Sequence, residues 1–326
     1  VVPGAAEDAT GCIIFTTAHK CPCGGTDQPG QPLVGGAHWH VLGAGAIGCL
    51  FAAGLQRAGV AVTIIPRETT ADSLTFHLEQ QGVTRQLHFD SSPAADSTRI
   101  THLLVTTKAY DAVEAVTSVR HRLDRDSQVL LLVNGMGFAE QLTERFSWLS
   151  PFYGTTTEGA YRLSPNHVRH AGHGSTRVGR KDLAAAPEWF RQWRRASEDC
   201  RWEAQIELAM WEKLAINCAI NPLTALHECR NGELDTRPEL RREVDILCEE
   251  IARVSEAAGF PSVARDLRLR VGEVISGTAN NHSSMLQDLR AGRRSEIDYI
   301  TGYLLQTAAR LGIDTPANQT LFDKIG

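Results

Sequence analysis

The sequence predicts an α/β protein in which a mainly parallel sheet is followed by an all-helical C-terminal part. Short apolar strands alternate with helical segments from His38 onward, which is typical of a parallel sheet. A glycine-rich turn joins the first strand to the first helix, and the pattern after Ile206 is almost wholly helical. The chain has 326 residues, more than a single core usually holds, so we expect two domains.

The composition favours a small molecule as the partner. The 33 basic and 38 acidic residues give a net charge of −5 without a dense basic run, so we expect neither nucleic acid nor a membrane as a partner. The eight cysteines indicate a reducing compartment, and we expect a cytoplasmic protein. The close pair Cys21 and Cys23 lacks further ligands at metal-site spacing, and no histidine has such a pattern, so we predict no metal site.

Three segments follow one another along the chain. Residues 1–37 are rich in Gly, Pro, Ala and Thr without periodicity and are predicted to be a poorly ordered N-terminal extension. Residues 38–204 carry the strand signals, and residues 205–326 carry the helical ones. The predicted strands are 38–42, 60–65, 102–106 and 128–133, with shorter strands at 168–171 and 176–179 that extend the same sheet. The predicted helices are 206–220, 238–258, 262–275, 282–290 and 295–311, with Gly259 and Gly312 as C-terminal stops.

The glycine-rich turn predicts a dinucleotide site. Gly43, Gly45 and Gly48 form a G-x-G-x-x-G pattern directly between the first strand and the first helix. The first glycine permits the tight turn, the second lets a pyrophosphate approach the backbone, and the third lets the helix pack on the strand. The pyrophosphate would lie at the positive helix N-terminus, against a loop completed by Ala44, Ala46 and Ile47. We therefore expect residues 38–204 to form a Rossmann-like, nucleotide-binding domain.

The residue that follows the second strand favours NADPH as the cofactor. An NAD-selective site usually has Asp or Glu there to hold the ribose hydroxyls, but this chain has Pro66 and Arg67. An arginine can bind the 2′-phosphate of NADP through a charge-assisted hydrogen bond of about 1.5 to 3 kcal/mol, which corresponds to roughly 10- to 150-fold discrimination. The alternatives are that Glu68, the next residue, takes the position, or that Arg67 is only an exposed loop cation.

Polar residues also follow two further strands. Lys108 comes after HLLVT, and Asn134 comes after VLLLV. Open α/β sheets bind ligands at the carboxyl ends of their strands, so we expect both side chains to face the cofactor or the substrate. The simpler alternatives are a solvated loop cation for Lys108 and an Asn-Gly turn for Asn134.

The helical stretch WEKLAINCAINP has a polar face that propensity does not explain. Lys213, Asn217 and Asn221 recur every fourth residue, so at about 100° per residue they share one arc with apolar side chains. Asparagine is a poor helix former, so we interpret this arc as facing a cleft. A protonated lysine there can stabilise an oxyanion and donate a proton, and partial burial would lower its pKa from about 10.4 toward neutrality. The alternative is a capping and turn cluster before Pro222.

Several motifs together resemble one family, ketopantoate reductase. They occur in order as VLGAGAIG, LLVTTKAY, LLVNGMG, YGTTTEGA, WEKLAINCAINPLTA, RNGEL and SSMLQDLRAGRRSEIDYITG, and the last three are the most specific. The resemblance implies NADPH-dependent reduction of 2-dehydropantoate (ketopantoate) to (R)-pantoate, a step toward pantothenate and coenzyme A. We expect a monomer or a homodimer.

The resemblance assigns roles to individual positions. Lys213 matches the proton donor of the family. The substrate positions are Asn134, Asn217, Asn221, Asn231 and Ser284. The cofactor positions are Gly43, Ala44, Gly45, Ala46, Ile47, Gly48, Arg67, Lys108, Gly159 and Glu296, with Asn134 and Glu296 at the boundary between the two ligands.

Two of these positions have simpler structural interpretations, and two alternative functions are open for the chain as a whole. Ser284 could be no more than a helix cap. Glu296 could be an acid that merely stabilises the N-terminus of the last long helix through the helix dipole. A reductase of a different 2-keto acid and a non-catalytic NADP(H)-sensing module are the alternative functions.

Overall fold

The computed structural model, which describes residues 37–68 and 71–326, contains one sheet of eleven strands in the described part of the chain. The central strands are parallel to one another, as predicted. In chain order the strands are β1 (Trp39–Leu42), β2 (Val62–Ile65), β3 (Ser73–Gln80), β4 (Val83–Ser91), β5 (His102–Val105), β6 (Gln128–Leu131), β7 (Phe152–Thr156), β8 (Gly159–Ser164), β9 (His167–Gly172), β10 (Thr176–Gly179) and β11 (Cys200–Trp202).

The order of the strands brings the predicted site residues that follow β1, β2, β5 and β6 to one edge of the sheet. The sheet runs β11-β10-β7-β6-β5-β1-β2-β4-β3-β9-β8. Leu42, the last residue of β1, is in register with Ile65 of β2 and Val105 of β5, and Val105 is in register with Leu131 of β6. The loops that follow these four strands therefore emerge side by side.

One long hairpin was not predicted. β3 and β4 pair antiparallel through a turn at Gln81 and Gly82, which have positive φ angles of 51° and 76°. A signal for β3 was available, because Leu74, Phe76 and Leu78 alternate with polar residues and two of them are buried. β4 runs parallel to β2, and β8 and β9 follow β3, so the hairpin connects the central sheet to its outer strands.

The helices after residue 205 confirm the all-helical C-terminal part. The short 3-10 helices Arg120–Arg122 and Ile297–Tyr299 lie among the longer helices. In chain order the α-helices are α1 (Ala46–Arg57), α2 (Ala109–Ser118), α3 (Phe138–Arg145), α4 (Phe190–Ala196), α5 (Ile206–Leu226), α6 (Glu233–Thr236), α7 (Pro238–Ala257), α8 (Pro261–Gly277), α9 (Ser284–Arg290), α10 (Thr301–Leu311) and α11 (Pro316–Ile325).

Helix α5 is longer than predicted because it continues through Pro222. Proline has no N–H to bond the carbonyl of Cys218, yet the helix runs on to Leu226 with Pro222 buried inside it. The alternative of a capping and turn cluster before Pro222 is therefore wrong. The two predicted glycine stops are confirmed, since Gly259 and Gly312 follow their helices with φ angles of 91° and 70°.

Apolar residues form three clusters. One cluster lies between the sheet and helices α1 and α4, a second lies on the α2 and α3 face, and a third surrounds α5. The described residues group as one unit, so the predicted division between residues 204 and 205 stays a prediction. The predicted N-terminal extension, apart from Ala37, lies outside the described residues, as do Cys21 and Cys23. Within the described ranges, no helix is long and apolar enough to cross a bilayer.

Candidate active site

The glycine loop has the geometry that its three glycines predict. Gly43 has a φ of 105°, which strongly favours glycine, and its N–H donates to the carbonyl of Ile65 at 3.1 Å. A Cβ on Gly48 would collide with the carbonyl oxygen of Gly43 and approach the hydroxyl of Thr106, so α1 can pack this closely only with glycine. A Cβ on Gly45 would meet no heavy atom nearer than 3.8 Å, so the backbone there is open to a ligand.

The N-terminus of α1 fits a pyrophosphate. The helix begins at Ala46, its N-cap residue is Gly45, and no side chain bonds to the cap. No acidic residue lies in the first turn, so the positive end of a 12-residue helix is not neutralised from within. The open backbone at Gly45 and this helix end together match what a dinucleotide needs.

Arg67 lies just after β2, at the same edge of the sheet. Its side chain is 76% exposed, and one guanidinium nitrogen lies 2.6 Å from a carboxylate oxygen of Asp111 in the first turn of α2. The contact holds the guanidinium near the ends of β2 and β5. A ligand phosphate that binds Arg67 would have to compete with Asp111.

Lys108 is tied to two buried acids that come from far along the chain. Its ammonium lies 2.6 Å from Asp288 and 3.4 Å from Glu296. Burial alone would lower the pKa of Lys108, but Glu296 and Asp288 together raise it above the usual value. This lysine therefore stays charged and links the end of β5 to the helical part.

Glu296 joins three loops at once. One of its oxygens accepts a hydrogen bond of 3.0 Å from the N–H of Ala109, the first residue of α2. The other oxygen accepts from Asn134 and Lys108, both at 3.4 Å. The long helix expected to begin near Glu296 starts instead at Thr301, after a short 3-10 helix, so the carboxylate stabilises the N-terminus of α2 rather than that of its own helix.

Asn134 and Lys213 meet in a small cavity between the sheet and α5. The Asn217 side-chain amide donates to the Asn134 side-chain oxygen at 3.1 Å, so the polar arc of α5 faces the loop after β6. The ammonium of Lys213 donates to the carbonyl of Thr156 at 2.7 Å. The cavity is lined by Val133, Asn134, Gly135, Gly154, Thr155, Met210, Lys213, Leu214 and Asn217.

Burial changes the acidity of Lys213. The side chain retains partial surface exposure but lies deep among protein atoms, and this desolvation lowers its pKa to about 8. Glu296 acts in the opposite direction by favouring the charged form. A lysine with this pKa is still mostly protonated at neutral pH and gives up its proton more easily than an exposed lysine.

Other predicted substrate residues are not joined to this cluster by hydrogen bonds in the described part of the chain. Asn221 is buried one turn beyond Asn217 in α5. Asn231 donates its side-chain amide to Thr278 at 2.8 Å. Ser284 is exposed as the first residue of α9.

Helix α9 is capped by Ser283 rather than by Ser284. The alternative in which Ser284 caps α9 is wrong, because the hydroxyl of Ser283 accepts the N–H of Leu286 at 3.2 Å.

The predicted cofactor residue Gly159 begins β8, and Arg162 of the same strand donates to the carbonyl of Ala44. β8 therefore lies against the glycine loop.

Sequence reasoning missed two groups at the site. Asp288 lies in the motif SSMLQDLRAGRRSEIDYITG without a distinguishing pattern of its own, and its pairing with Lys108 spans 180 residues of sequence. The carbonyl of Thr156 has no side-chain signature at all, because a backbone acceptor can belong to any residue type.

Comparisons with known proteins point to the same family over most of the chain. The family model described as "Ketopantoate reductase PanE/ApbA" matches residues 39–182, and the model described as "Ketopantoate reductase PanE/ApbA C terminal" matches residues 205–326. A 2-dehydropantoate 2-reductase from Vibrio cholerae is 36% identical over 289 residues, which cover 87% of this chain and 95% of that protein.

Solved structures share the fold. The PanE/ApbA family ketopantoate reductase from Ralstonia eutropha has a TM-score of 0.79 at 26% identity, over 88% of this chain and 97% of that one. A D-mandelate dehydrogenase solved with NADH and anilino(oxo)acetate has a TM-score of 0.77 over the same shares of the two chains, but at 21% identity this likeness shows the fold alone. The family models and the Vibrio relative establish that the chain belongs to the ketopantoate reductase family and is an oxidoreductase of the 2-dehydropantoate 2-reductase class.

Proposed function

We propose that this protein reduces 2-dehydropantoate to (R)-pantoate with NADPH, as a step toward pantothenate and coenzyme A, and that Lys213 donates the proton. One observation carries the proposal. Lys213, Asn134 and Asn217 line the same small cavity, so a charged donor and two amides converge on one place between the sheet and α5. The proposal includes a cytoplasmic location, which is in keeping with the five described cysteines being free.

The nicotinamide, when bound, supplies the hydride for C2 of the keto acid. The protein must then stabilise the negative charge that develops on the carbonyl oxygen and deliver a proton to it. Lys213 can do both, because its ammonium has three donors and the carbonyl of Thr156 occupies one. Asn217 and Asn134 can orient the substrate through neutral hydrogen bonds.

Glu296 and Lys108 have a supporting role in this proposal. Glu296 raises the pKa of Lys213 against the effect of burial, so it keeps the proton donor charged in the resting site. Because the same carboxylate contacts Lys108 and Asn134, we infer that it lies between the cofactor and the substrate. It can also accept a hydroxyl of either ligand.

Arg67 supports NADPH as the cofactor rather than NADH. It follows β2, where the ribose of a dinucleotide is held in this type of fold, and its exposed guanidinium can reach a 2′-phosphate. Pro66 takes the place next to the strand, where an acid would repel that phosphate.

The test is a substrate panel with the purified full chain. NADPH oxidation is measured with ketopantoate, pyruvate and 2-oxoisovalerate, and each reaction is repeated with NADH. We expect the highest kcat/KM for ketopantoate with NADPH. Equal rates for the three acids would favour a reductase of broader specificity. Binding of NADPH without turnover of any of them would favour a sensing module.

A further inference from the structure

Three potential metal ligands lie together where β7 leads into β8 and β9 leads into β10. Glu158 is in the turn between β7 and β8, His170 is in β9, and His173 follows β9. One ligand atom from each of the three side chains lies within 4.8 Å of the other two. The imidazole Nε2 of His170 and a carboxylate oxygen of Glu158 are already 2.7 Å apart.

Two of these side chains are held in place and the third is open. The side chains of Glu158 and His170 are only 7% and 5% exposed, whereas that of His173 is 49% exposed. The carboxylate oxygen of Glu158 that faces His170 also accepts the N–H of Gly174 at 3.1 Å. The arrangement therefore has two pre-positioned ligands and one side that a metal ion can enter from solvent.

The β3–β4 hairpin supplies groups around these ligands. Gln80 has its side-chain nitrogen 3.0 Å from Nδ1 of His170, and Gln81 has its side-chain nitrogen 3.3 Å from Nε2 of His173. A metal on Nε2 of His170 leaves the proton on Nδ1, and this N–H can donate a hydrogen bond to Gln80 once its amide is turned to present oxygen. Such partners fix the ring orientation of metal-binding histidines.

We propose that Glu158, His170 and His173 form a binding site for a divalent transition-metal ion of the Zn²⁺ type. Two imidazoles and one carboxylate are a common set for zinc, with water in the fourth position. Bond lengths of about 2.0 to 2.2 Å place tetrahedral ligand atoms roughly 3.4 Å apart. Binding therefore widens the His170–Glu158 pair by under about 1 Å and draws in the exposed ring of His173.

The sequence pattern had predicted no metal site because the ligands do not have a familiar spacing. Glu158 precedes His170 by 12 residues, and the strands β8 and β9 must pair before the three side chains converge. The site is separate from the proposed proton donor, although Glu158 lies two residues beyond Thr156, whose carbonyl accepts from Lys213.

Co²⁺ titration of the full chain tests the proposal, because Co²⁺ replaces Zn²⁺ and has visible absorption bands in sites of low coordination. The titration uses a background with Cys21→Ser and Cys23→Ser, so that those thiols cannot bind the ion. We expect one Co²⁺ per chain, displaced by Zn²⁺. His173→Gln should weaken binding by about 10- to 100-fold or more, and because this side chain is exposed the variant should fold.

His121→Gln is the matched control, since His121 is also exposed but lies on another part of the surface. Its affinity for Co²⁺ should equal that of the background protein. Glu158→Gln, checked for folding by circular dichroism, should weaken binding as His173→Gln does. The proposal is overturned if no Co²⁺ binds, or if bound Co²⁺ is insensitive to both His173→Gln and Glu158→Gln.

Discussion

The ammonium of Lys213 donates a 2.7 Å hydrogen bond to the backbone carbonyl of Thr156, and this bond joins helix α5 to the end of strand β7. The contact fixes the direction of the lysine side chain, so that its remaining donors are available to the cavity. A backbone acceptor is also insensitive to pH. The position of this ammonium therefore depends on the fold rather than on a partner that can be protonated.

Replacing Lys213 with alanine should reduce catalysis without preventing cofactor binding. Loss of a positioned proton donor typically lowers the rate by about 10²- to 10⁴-fold, and we expect kcat to fall within that range. The measurements are steady-state kinetics with ketopantoate and a fluorescence titration with NADPH. Lys181→Ala, which removes an exposed lysine, is the control and should leave kcat unchanged. Near-normal turnover of Lys213→Ala would refute the proton-donor role.

The pH profile should report the lowered pKa of Lys213. Because the proposed reduction needs the protonated lysine, kcat is expected to be constant below pH of about 8 and to fall as pH rises through about 8, with a limiting slope of about −1 in log kcat. Glu296 raises the pKa of this lysine, so Glu296→Gln should move the decline to lower pH. Glu212 is in α5 with Lys213 and pairs with Arg177, so Glu212→Gln should leave the pH of the decline unchanged. A decline at the same pH in all three proteins would contradict the assignment.

Arg67 and Asp111 should have opposite effects on NADPH affinity. Arg67→Ala removes the proposed contact with the 2′-phosphate, so NADPH should bind roughly 10- to 150-fold more weakly while NADH changes little. Asp111→Asn removes the carboxylate that competes for the same guanidinium, so NADPH should bind more tightly. Dissociation constants for both cofactors are measured by fluorescence. Equal weakening of NADPH and NADH by Arg67→Ala would exclude selection through this residue.

Gly48→Ala should destabilise the protein and weaken cofactor binding. The added methyl group meets the backbone oxygen of Gly43, which cannot rotate away as a side chain could, and overpacking of this kind typically costs about 1 to 3 kcal/mol. Gly272→Ala is the matched control, since it lies inside helix α8 with space for a Cβ and should stabilise the fold by about 0.5 to 1 kcal/mol. Urea denaturation of both variants measures the difference. Equal stability of the two would show that the loop tolerates a side chain at residue 48.

The features that were predictable from sequence are those with a local signature. The glycine loop has fixed spacing, and Lys213 and Asn217 stand out because polar residues recur at helical period among apolar ones. The contacts of Lys108 with Asp288 and Glu296 have no such signature, since they depend on how the helical part packs against the sheet. The family resemblance supplied a role for Glu296 but not the hydrogen bond to Ala109 that holds it.

The boundary errors have similarly physical causes. A proline usually ends a helix, but here the core packed on both sides of Pro222 keeps α5 helical to Leu226. The hairpin of β3 and β4 was missed although its alternating pattern was visible, because its turn uses Gln81 and Gly82 instead of the more familiar Asn-Gly pair.

The three-way contact of Glu296 ties the proposed ligand site to the local folding of one segment. Residues 291–294, just before it, are all exposed, and they connect α9 to the segment that carries the carboxylate. A protease cut in this stretch would let Glu296 leave Ala109, Asn134 and Lys108 together, even though the buried helices around α5 kept their packing. The cleaved protein would then retain most of its helical circular dichroism and lose the ability to hold its ligands. The contacts of Glu296 therefore depend on an exposed stretch of chain as well as on the buried helices.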